Sequence, residues 1–172
     1  MVFSSYQFII FFLIVFFGYF LLNQTRFHLA GRAWLTASSL FFYAYWNIAY
    51  LPLLLGSVFF NFIVGRHLFP NQESKSLPFS RRFILVFGIF ANLALLGYFK
   101  YTDFFIENVN VVFDIDYVLP QIILPLGISF FTFTQIAYLV DSYRGRAKEH
   151  NLLNYSLFVT FFPYLIAGPI MR

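Results

Sequence analysis

Cysteine is absent from the 172 residues, which removes disulfides, thiolate metal sites and cysteine nucleophiles from consideration. Charge is almost as scarce. Asp, Glu, Lys and Arg together make up 10% of the chain, against about 25% in a soluble domain. A chain of this size with so little polar side chain cannot build a water-facing surface, so lipid must cover much of it. Clustered metal ligands are missing too. The three histidines, His28, His67 and His150, lie in separate polar segments without a His or Cys partner at ligand spacing. They read as solvated side chains at the membrane edge, and neither a metal site nor a Ser/His/Asp arrangement can be built from them. On a soluble protein the net charge of +4 would suggest nucleic acid. Here the cations lie between apolar spans and serve orientation, so no nucleic-acid partner is expected.

What the chain has in quantity is apolar and aromatic surface: 60% hydrophobic residues, including 28 Phe. Five charge-free stretches stand out, at residues 1–25, 33–65, 83–99, 117–140 and 151–171. Roughly 20 helical residues cross a hydrocarbon core about 30 Å thick. Four stretches therefore hold one crossing each, the run at 83–99 being a short one. The stretch at 33–65 is too long for one crossing, and Tyr45-Trp46-Asn47-Ile48-Ala49-Tyr50-Leu51-Pro52 near its middle has the composition of a turn at the interface. A tight hairpin of two short helices is expected there.

The loops support this count. Nine basic residues fall on loops 23–32 (Arg26, Arg32), 66–82 (Arg66, Lys75, Arg81, Arg82) and 141–150 (Arg144, Arg146, Lys148), whereas loop 100–118 carries only Lys100. All three basic loops share one side only if the hairpin crosses twice. That side is then cytoplasmic and the N-terminus lies outside. The first stretch lacks a basic segment before its apolar run and has no small-residue cleavage site, so it is expected to stay as a span rather than act as a removable leader. The fold class that follows is all-α: a polytopic membrane protein of about six transmembrane or re-entrant helices.

Polar residues inside the spans are the candidates for function, because lipid penalises them unless they find partners. Ser129, Thr132 and Gln135 recur at i, i+3, i+6 and share roughly one helical face. They either line a polar passage or bond between helices. Asn61 and Asn92 invite the same two readings, with packing the simpler. Pro125 and Gly127 interrupt the fifth stretch's helical ladder, and Pro163, Gly168 and Pro169 interrupt the last. A re-entrant final segment is expected, since broken backbone at membrane depth is tolerated where it lines a cavity or is buried in protein. At the cytoplasmic edge, Asp141 and Arg144 stand at i, i+3 around Tyr143 and can pair. Alternatively Arg144 is one more orientation charge and Gly145 a helix cap.

The segments LGYFKYTDFF (96–105), LPLGISFFTFTQIAYLVDSYRG (124–145) and FVTFFPYLIAGPIMR (158–172) resemble the membrane-bound O-acyltransferases. They are most similar to the alginate O-acetyltransferase branch, which also includes the protein that helps D-alanylate teichoic acids. The opening MVFSSYQF (1–8) and FYAYW (42–46) are similar to that branch as well. The resemblance implies that residues 1–172 are the N-terminal part of a single membrane domain built around a funnel. Such enzymes take an acyl group from a cytoplasmic donor, acetyl-CoA or another activated acyl carrier, with no bound cofactor. They pass it to an extracytoplasmic polysaccharide such as alginate, with periplasmic or extracellular acetyl-transfer partner proteins, at the bacterial inner membrane. Ser129, Thr132, Gln135, Asp141, Tyr143, Arg144, Pro163, Gly168 and Pro169 become the funnel-lining candidates. The family's essential histidine lies on a later helix, and none of His28, His67 and His150 matches it, so no catalytic residue is assigned within these residues. Tyr164 departs from the His or Gln common after the proline in that branch. The principal alternative is a multi-pass transporter or flippase for a lipid-linked sugar or small solute, with a non-catalytic export scaffold as a third reading.

The nine-to-one charge split generates the first prediction. Reporter fusions at Gln72 and Lys148 should both report the cytoplasm and a fusion at Val112 the outside. Finding Gln72 and Val112 on one side would overturn the alternating arrangement.

Overall fold

The computed structural model describes residues 6–24, 28–69, 80–113, 123–147 and 151–163. His150, Tyr164, Gly168 and Pro169 lie outside the described residues. Among those described there are six α-helices and no strand.

An uninterrupted apolar run forms α1, Tyr6–Gln24, whose 19 residues reach about 28 Å. It is apolar on every side and most of its large side chains remain exposed, with Val15 buried and Phe8, Phe11, Tyr19 and Leu22 half-buried. Lipid is the solvent for this helix. The next helix, α2 (His28–Trp46), stops where Asn47 turns extended and its side chain accepts the Ala49 N–H at 3.0 Å, capping a 3₁₀ turn at Ile48–Tyr50. Pro52 then sits in the first turn of α3, Leu51–Leu68, where its missing N–H costs nothing. The break expected at Asn47 is therefore present. The hairpin is neither tight nor made of short helices: α2 packs on α1 and α6, whereas α3 packs on α4 and α5.

Ser80 accepts the Phe83 N–H and starts α4, Arg81–Phe113. Its 33 residues extend about 50 Å, so most of the segment expected to be an outer loop, 100–118, is helix as far as Phe113. No Gly or Pro occurs between Gly97 and Phe113 to stop it. The following segment runs the other way. Pro125 and a left-handed Gly127 (φ 66°) delay the helix, and α5 covers only Ile128–Tyr143, not the whole of 117–140. Finally α6, Leu152–Thr160, is capped by Asn151 and ends after 9 residues, about 14 Å. Too short to cross, it stops just ahead of Pro163, which has no N–H to continue the ladder. The Phe162 N–H released by this break donates to Ser39 Oγ of α2 at 3.4 Å.

Tyr6–Asn23, Ile48–Leu68 and Arg81–Thr102 are long and apolar enough to cross a membrane. The helices alternate in direction. At one end the Arg81 guanidinium meets the carbonyls of Leu68 and Tyr143, and Arg32 bonds Asn154 at 3.0 Å. At the other, Tyr50 donates to the Ile123 carbonyl and its ring meets Phe99. Arg32, Arg66, Arg81, Arg82, Arg144 and Arg146 consequently share one end. Since Phe99 marks the opposite rim, α4 continues about 20 Å beyond it, exposing Phe104, Phe105, Val109 and Val112.

Two apolar clusters hold the helices. The larger joins Leu54, Phe62 and Leu68 of α3 to Leu96 of α4, Phe131 and Leu139 of α5, and Tyr155 and Val159 of α6. The smaller is aromatic: Phe162 packs against Phe11 and Phe42 at 5.5 Å and ties α1 to α2. Close approach needs small residues where lipid gives no hydrophobic push between helices. A Cβ on Gly65 would stand inside the Tyr138 ring, and one on Gly88 would lie 2.8 Å from Leu139 Cδ1. Gly56 and Gly97 meet nothing within 4 Å.

This contrast is testable by thermal unfolding of the detergent-solubilised full-length protein. Gly65→Ala should destabilise by about 1–3 kcal/mol, the cost of overpacking, and Gly88→Ala by less, because a leucine methyl can move. Gly56→Ala and Gly97→Ala should be neutral or stabilise by about 0.5–1 kcal/mol through helix propensity. A Gly65→Ala protein as stable as Gly56→Ala would remove the close α3–α5 contact.

Candidate functional site

The polar content of the bundle gathers at two levels. Deep inside, three amides on three helices converge: Asn61 of α3, Asn92 of α4 and Gln135 of α5, all buried. The two asparagines exchange hydrogen bonds, Asn92 Nδ2 donating to Asn61 Oδ1 at 2.6 Å and Asn61 Nδ2 to Asn92 Oδ1 at 3.1 Å. Gln135 Oε1 accepts from Asn61 Nδ2 at 2.9 Å and from Ser57 Oγ at 2.6 Å. The carbonyls of Ser57 and Gly88, each one turn back on its own helix, accept the remaining donations at 3.0 and 2.8 Å. Of the two readings open for Asn61, Asn92 and Gln135, the amide carbonyls follow the interhelical one.

Not every polar atom is used in this way. The Gln135 Nε2 and Thr132 Oγ1 atoms, one turn apart on α5, are buried without a hydrogen-bond partner among the described residues, as are the hydroxyls of Tyr43 and Tyr155. Such groups are uncommon in folded proteins, and each calls for a partner. They leave the inside of the bundle with hydrogen-bonding capacity that the described helices do not use. Ser129, next on the same face, is half-buried.

At the basic end, α5 closes with a Schellman motif. Gly145 adopts φ 71° and donates to the Ser142 carbonyl at 3.1 Å, and Arg146 donates to the Asp141 carbonyl at 2.8 Å. The Tyr143 carbonyl is then left for Arg81, whose Nη2 donates to it at 2.9 Å while its Nε donates to the Leu68 carbonyl at 3.2 Å. The guanidinium also lies over the Tyr143 ring, 5.2 Å from its centroid. Asp141 and Arg144 are both exposed, and among the described residues no ion pair joins them. The Asp141 carboxylate needs no partner there because water reaches it.

The expected residues thus separate. Thr132 and Gln135 enter the buried seam, Ser129 flanks it, and Asp141, Tyr143 and Arg144 form the basic rim. Pro163, half-buried, follows the break in α6. Sequence reasoning missed the convergence of Asn61 and Asn92 with Gln135, the part played by Ser57, and Arg81, which it counted only as an orientation charge. Arg81 did carry a signal. As the first residue of α4 it puts a cation at the positive end of its own helix dipole, where an anion is favoured. No group of three or more His, Asp or Glu side chains that could hold a metal ion comes together among the described residues.

Comparison with known proteins gives a consistent set of relatives. The chain is 42% identical to a Helicobacter pylori protein named peptidoglycan O-acetyltransferase, over 91% of the chain and 34% of that protein. It is 38% identical to a Pseudomonas aeruginosa protein named probable alginate O-acetylase AlgI, and 36% identical to one of that name from Pseudomonas putida. Both matches take in 100% of the chain and 33% and 35% of the respective relatives. The chain therefore spans about a third of the length of the curated relatives it matches. No family model matches, and no solved structure matches.

The amide seam generates a double-mutant cycle. Asn61→Leu and Gln135→Met should each destabilise the full-length protein by about 1–3 kcal/mol, because each leaves a buried amide unpaired. Combined, they should fall short of the sum by roughly 0.6 kcal/mol and at most about 1.7 kcal/mol, the range for hydrogen bonds between membrane helices. Strict additivity would remove the Asn61–Gln135 bond from the account of stability.

Proposed function

This chain belongs to the membrane-bound O-acyltransferase family, and we propose that the whole protein moves an acetyl group from a cytoplasmic acyl donor to a hydroxyl of an extracytoplasmic polysaccharide. The observation that carries this reading is identity along nearly the whole chain to relatives named as O-acetyltransferases of two polymers, alginate and peptidoglycan. The proposed donor is acetyl-CoA or another activated acyl carrier, and the acceptor is alginate or a related glycan, reached with the help of periplasmic or extracellular acetyl-transfer partner proteins.

The physical layout supports the direction of transfer. The basic end, read as cytoplasmic at the bacterial inner membrane with the N-terminus outside, attracts a donor that carries phosphates. Residues Tyr143 and Arg144 stand at its rim, and in this reading the unpartnered Thr132 Oγ1 and Gln135 Nε2 offer polar contacts deeper in the bundle. In the reaction the carbon–sulfur bond of the thioester breaks and a carbon–oxygen bond forms. The acceptor hydroxyl gives its proton to a base, and the thiol leaves protonated. No base is assigned among these 172 residues. The resemblance puts the essential histidine on a later helix, so residues 1–172 by themselves are expected to be inactive. Broken helices such as α5 and α6 also suit a transporter, but the names of the relatives point to acyl transfer.

The test supplies radiolabelled acetyl-CoA to the cytoplasmic face of membrane vesicles containing the full-length protein and its export partners, with alginate or peptidoglycan glycan on the other side. Ester-linked label should enter the polymer, and residues 1–172 purified alone should transfer none. Label entering the vesicle without esterification would favour transport. Transfer by the fragment would place the catalytic group within it.

A further inference from the structure

A cation at the start of a helix opposes the dipole of that helix, and α4 opens with two, Arg81 and Arg82, and no acidic residue in its first turn. Orientation requires only that these charges stay on one side of the membrane. It does not require a particular side-chain geometry. Yet Arg82 is exposed, as an orientation charge should be, whereas Arg81 is half-buried and turned sideways into its neighbours.

There it meets two helix ends at once. The last carbonyls of a helix have no partner within the helix and carry its negative partial charge. Arg81 serves Leu68 O at the end of α3 through Nε and Nη2, and Tyr143 O at the end of α5 through Nη2. These contacts bridge 13 and 62 residues of chain. Its Cζ also lies over the Tyr143 ring, 5.2 Å from the centroid. An ammonium could not do this, since the task needs a planar fork with several donors at fixed angles and a face to stack. Immediately after Tyr143 come Arg144, the left-handed Gly145 and Arg146, whose backbone is folded back on Asp141 and Ser142 by the Schellman bonds. That turn is closed by its own backbone hydrogen bonds. The Arg81 contacts tie the last turn of α5 to the end of α3 and the start of α4, beyond the packing of Tyr138 on Gly65 and of Leu139 on Gly88 one turn earlier.

We propose that Arg81 is a positioning residue that sets the place of the Tyr143–Arg146 turn at the mouth through which the acyl donor enters. The donor clause rests on the acyltransfer reading above, whereas the clamp rests on geometry alone. Arg81 touches no reacting atom. It acts by holding the ends of α3 and α5 so that Tyr143 and Arg144 face the donor in one arrangement.

Two measurements on the full-length protein test this. The first reads geometry without catalysis. Spin labels are attached at Arg82→Cys and Arg146→Cys, with any cysteine outside these 172 residues replaced, and the label-to-label distance is measured with Arg81 intact and in Arg81→Lys and Arg81→Gln. The distribution should be narrow in the parent, broader in Arg81→Lys and broadest in Arg81→Gln. An unchanged distribution in Arg81→Gln overturns the clamp. The second reads acetyl transfer without the labels. Arg81→Gln should raise KM for acetyl-CoA on the order of tenfold, the effect of losing a charged hydrogen bond, with kcat changed by less than about twofold. Arg81→Lys should fall between. A KM unchanged in both variants, with activity falling only as folded protein is lost, reduces Arg81 to a stability element and overturns the donor clause. If the parent transfers no acetyl group, the functional reading fails, and with it the donor clause, while the distances still decide the clamp.

Discussion

Three amides that meet between α3, α4 and α5 decide how this membrane bundle is held together. In lipid, apolar contact between helices gains little over contact with acyl chains, so packing and hydrogen bonds must set which faces meet. Asn61 is the centre of that arrangement because it bonds Asn92 and Gln135 as well as the Ser57 carbonyl of its own helix. Rotation or sliding of any one helix would strand polar atoms in an apolar interior. The seam therefore specifies register, and the aliphatic and aromatic contacts around it fill the space that the register defines. Gly65 and Gly88 belong to the same constraint, since the amides reach one another only where backbones approach closely.

The two ends of the bundle are secured differently. At the basic end, guanidinium groups hold carbonyls and an amide: Arg81 with Leu68 and Tyr143, Arg32 with Asn154. At the opposite rim the fastening is aromatic, through Tyr50 with Ile123, Trp46 and Phe99. This division follows solvent. Cations stay near water and phosphate, whereas amphipathic rings settle at the interface. Between the ends, interruptions in helical backbone are met by side chains of other helices, as when Ser39 takes up the Phe162 N–H.

Much of the fold was legible because lipid imposes a simple rule on sequence. The number of helices, the turn at Asn47, the shared side of the basic segments and the break near Pro163 all follow from apolar length, turn chemistry and charge placement. Element ends were less legible. Segment 100–118, with its single cation Lys100, was expected to be a loop, but no Gly or Pro interrupts it before Phe113 and α4 continues that far. Pro125 and Gly127 were recognised as interruptions, while the start of α5 at Ile128 was not, because the apolar run conceals where the ladder begins. Within the site, each amide stood out singly. Their meeting did not, since partners 31 and 74 residues apart carry no local pattern. Arg81 was hidden for another reason: its charge already had an explanation in orientation, and only its burial and the carbonyls it faces reveal a second use.

The seam also has a consequence in time. Asn61 leaves the ribosome 31 residues ahead of Asn92 and 74 ahead of Gln135. At about 5–20 residues per second that is a wait of roughly 2–6 s and 4–15 s. During the first interval neither interhelical amide partner of Asn61 has been made, and the Ser57 carbonyl one turn back on α3 remains for its side chain. Arrival of α4 supplies the reciprocal Asn92 pair, and α5 completes the set. Biogenesis thus has a built-in order, in which α3 and α4 pair as a nascent hairpin and α5 is recruited by an acceptor that arrives last. A nascent chain delayed between the second and third steps would hold the Asn61–Asn92 pair complete while Ser57 Oγ still lacked its Gln135 acceptor.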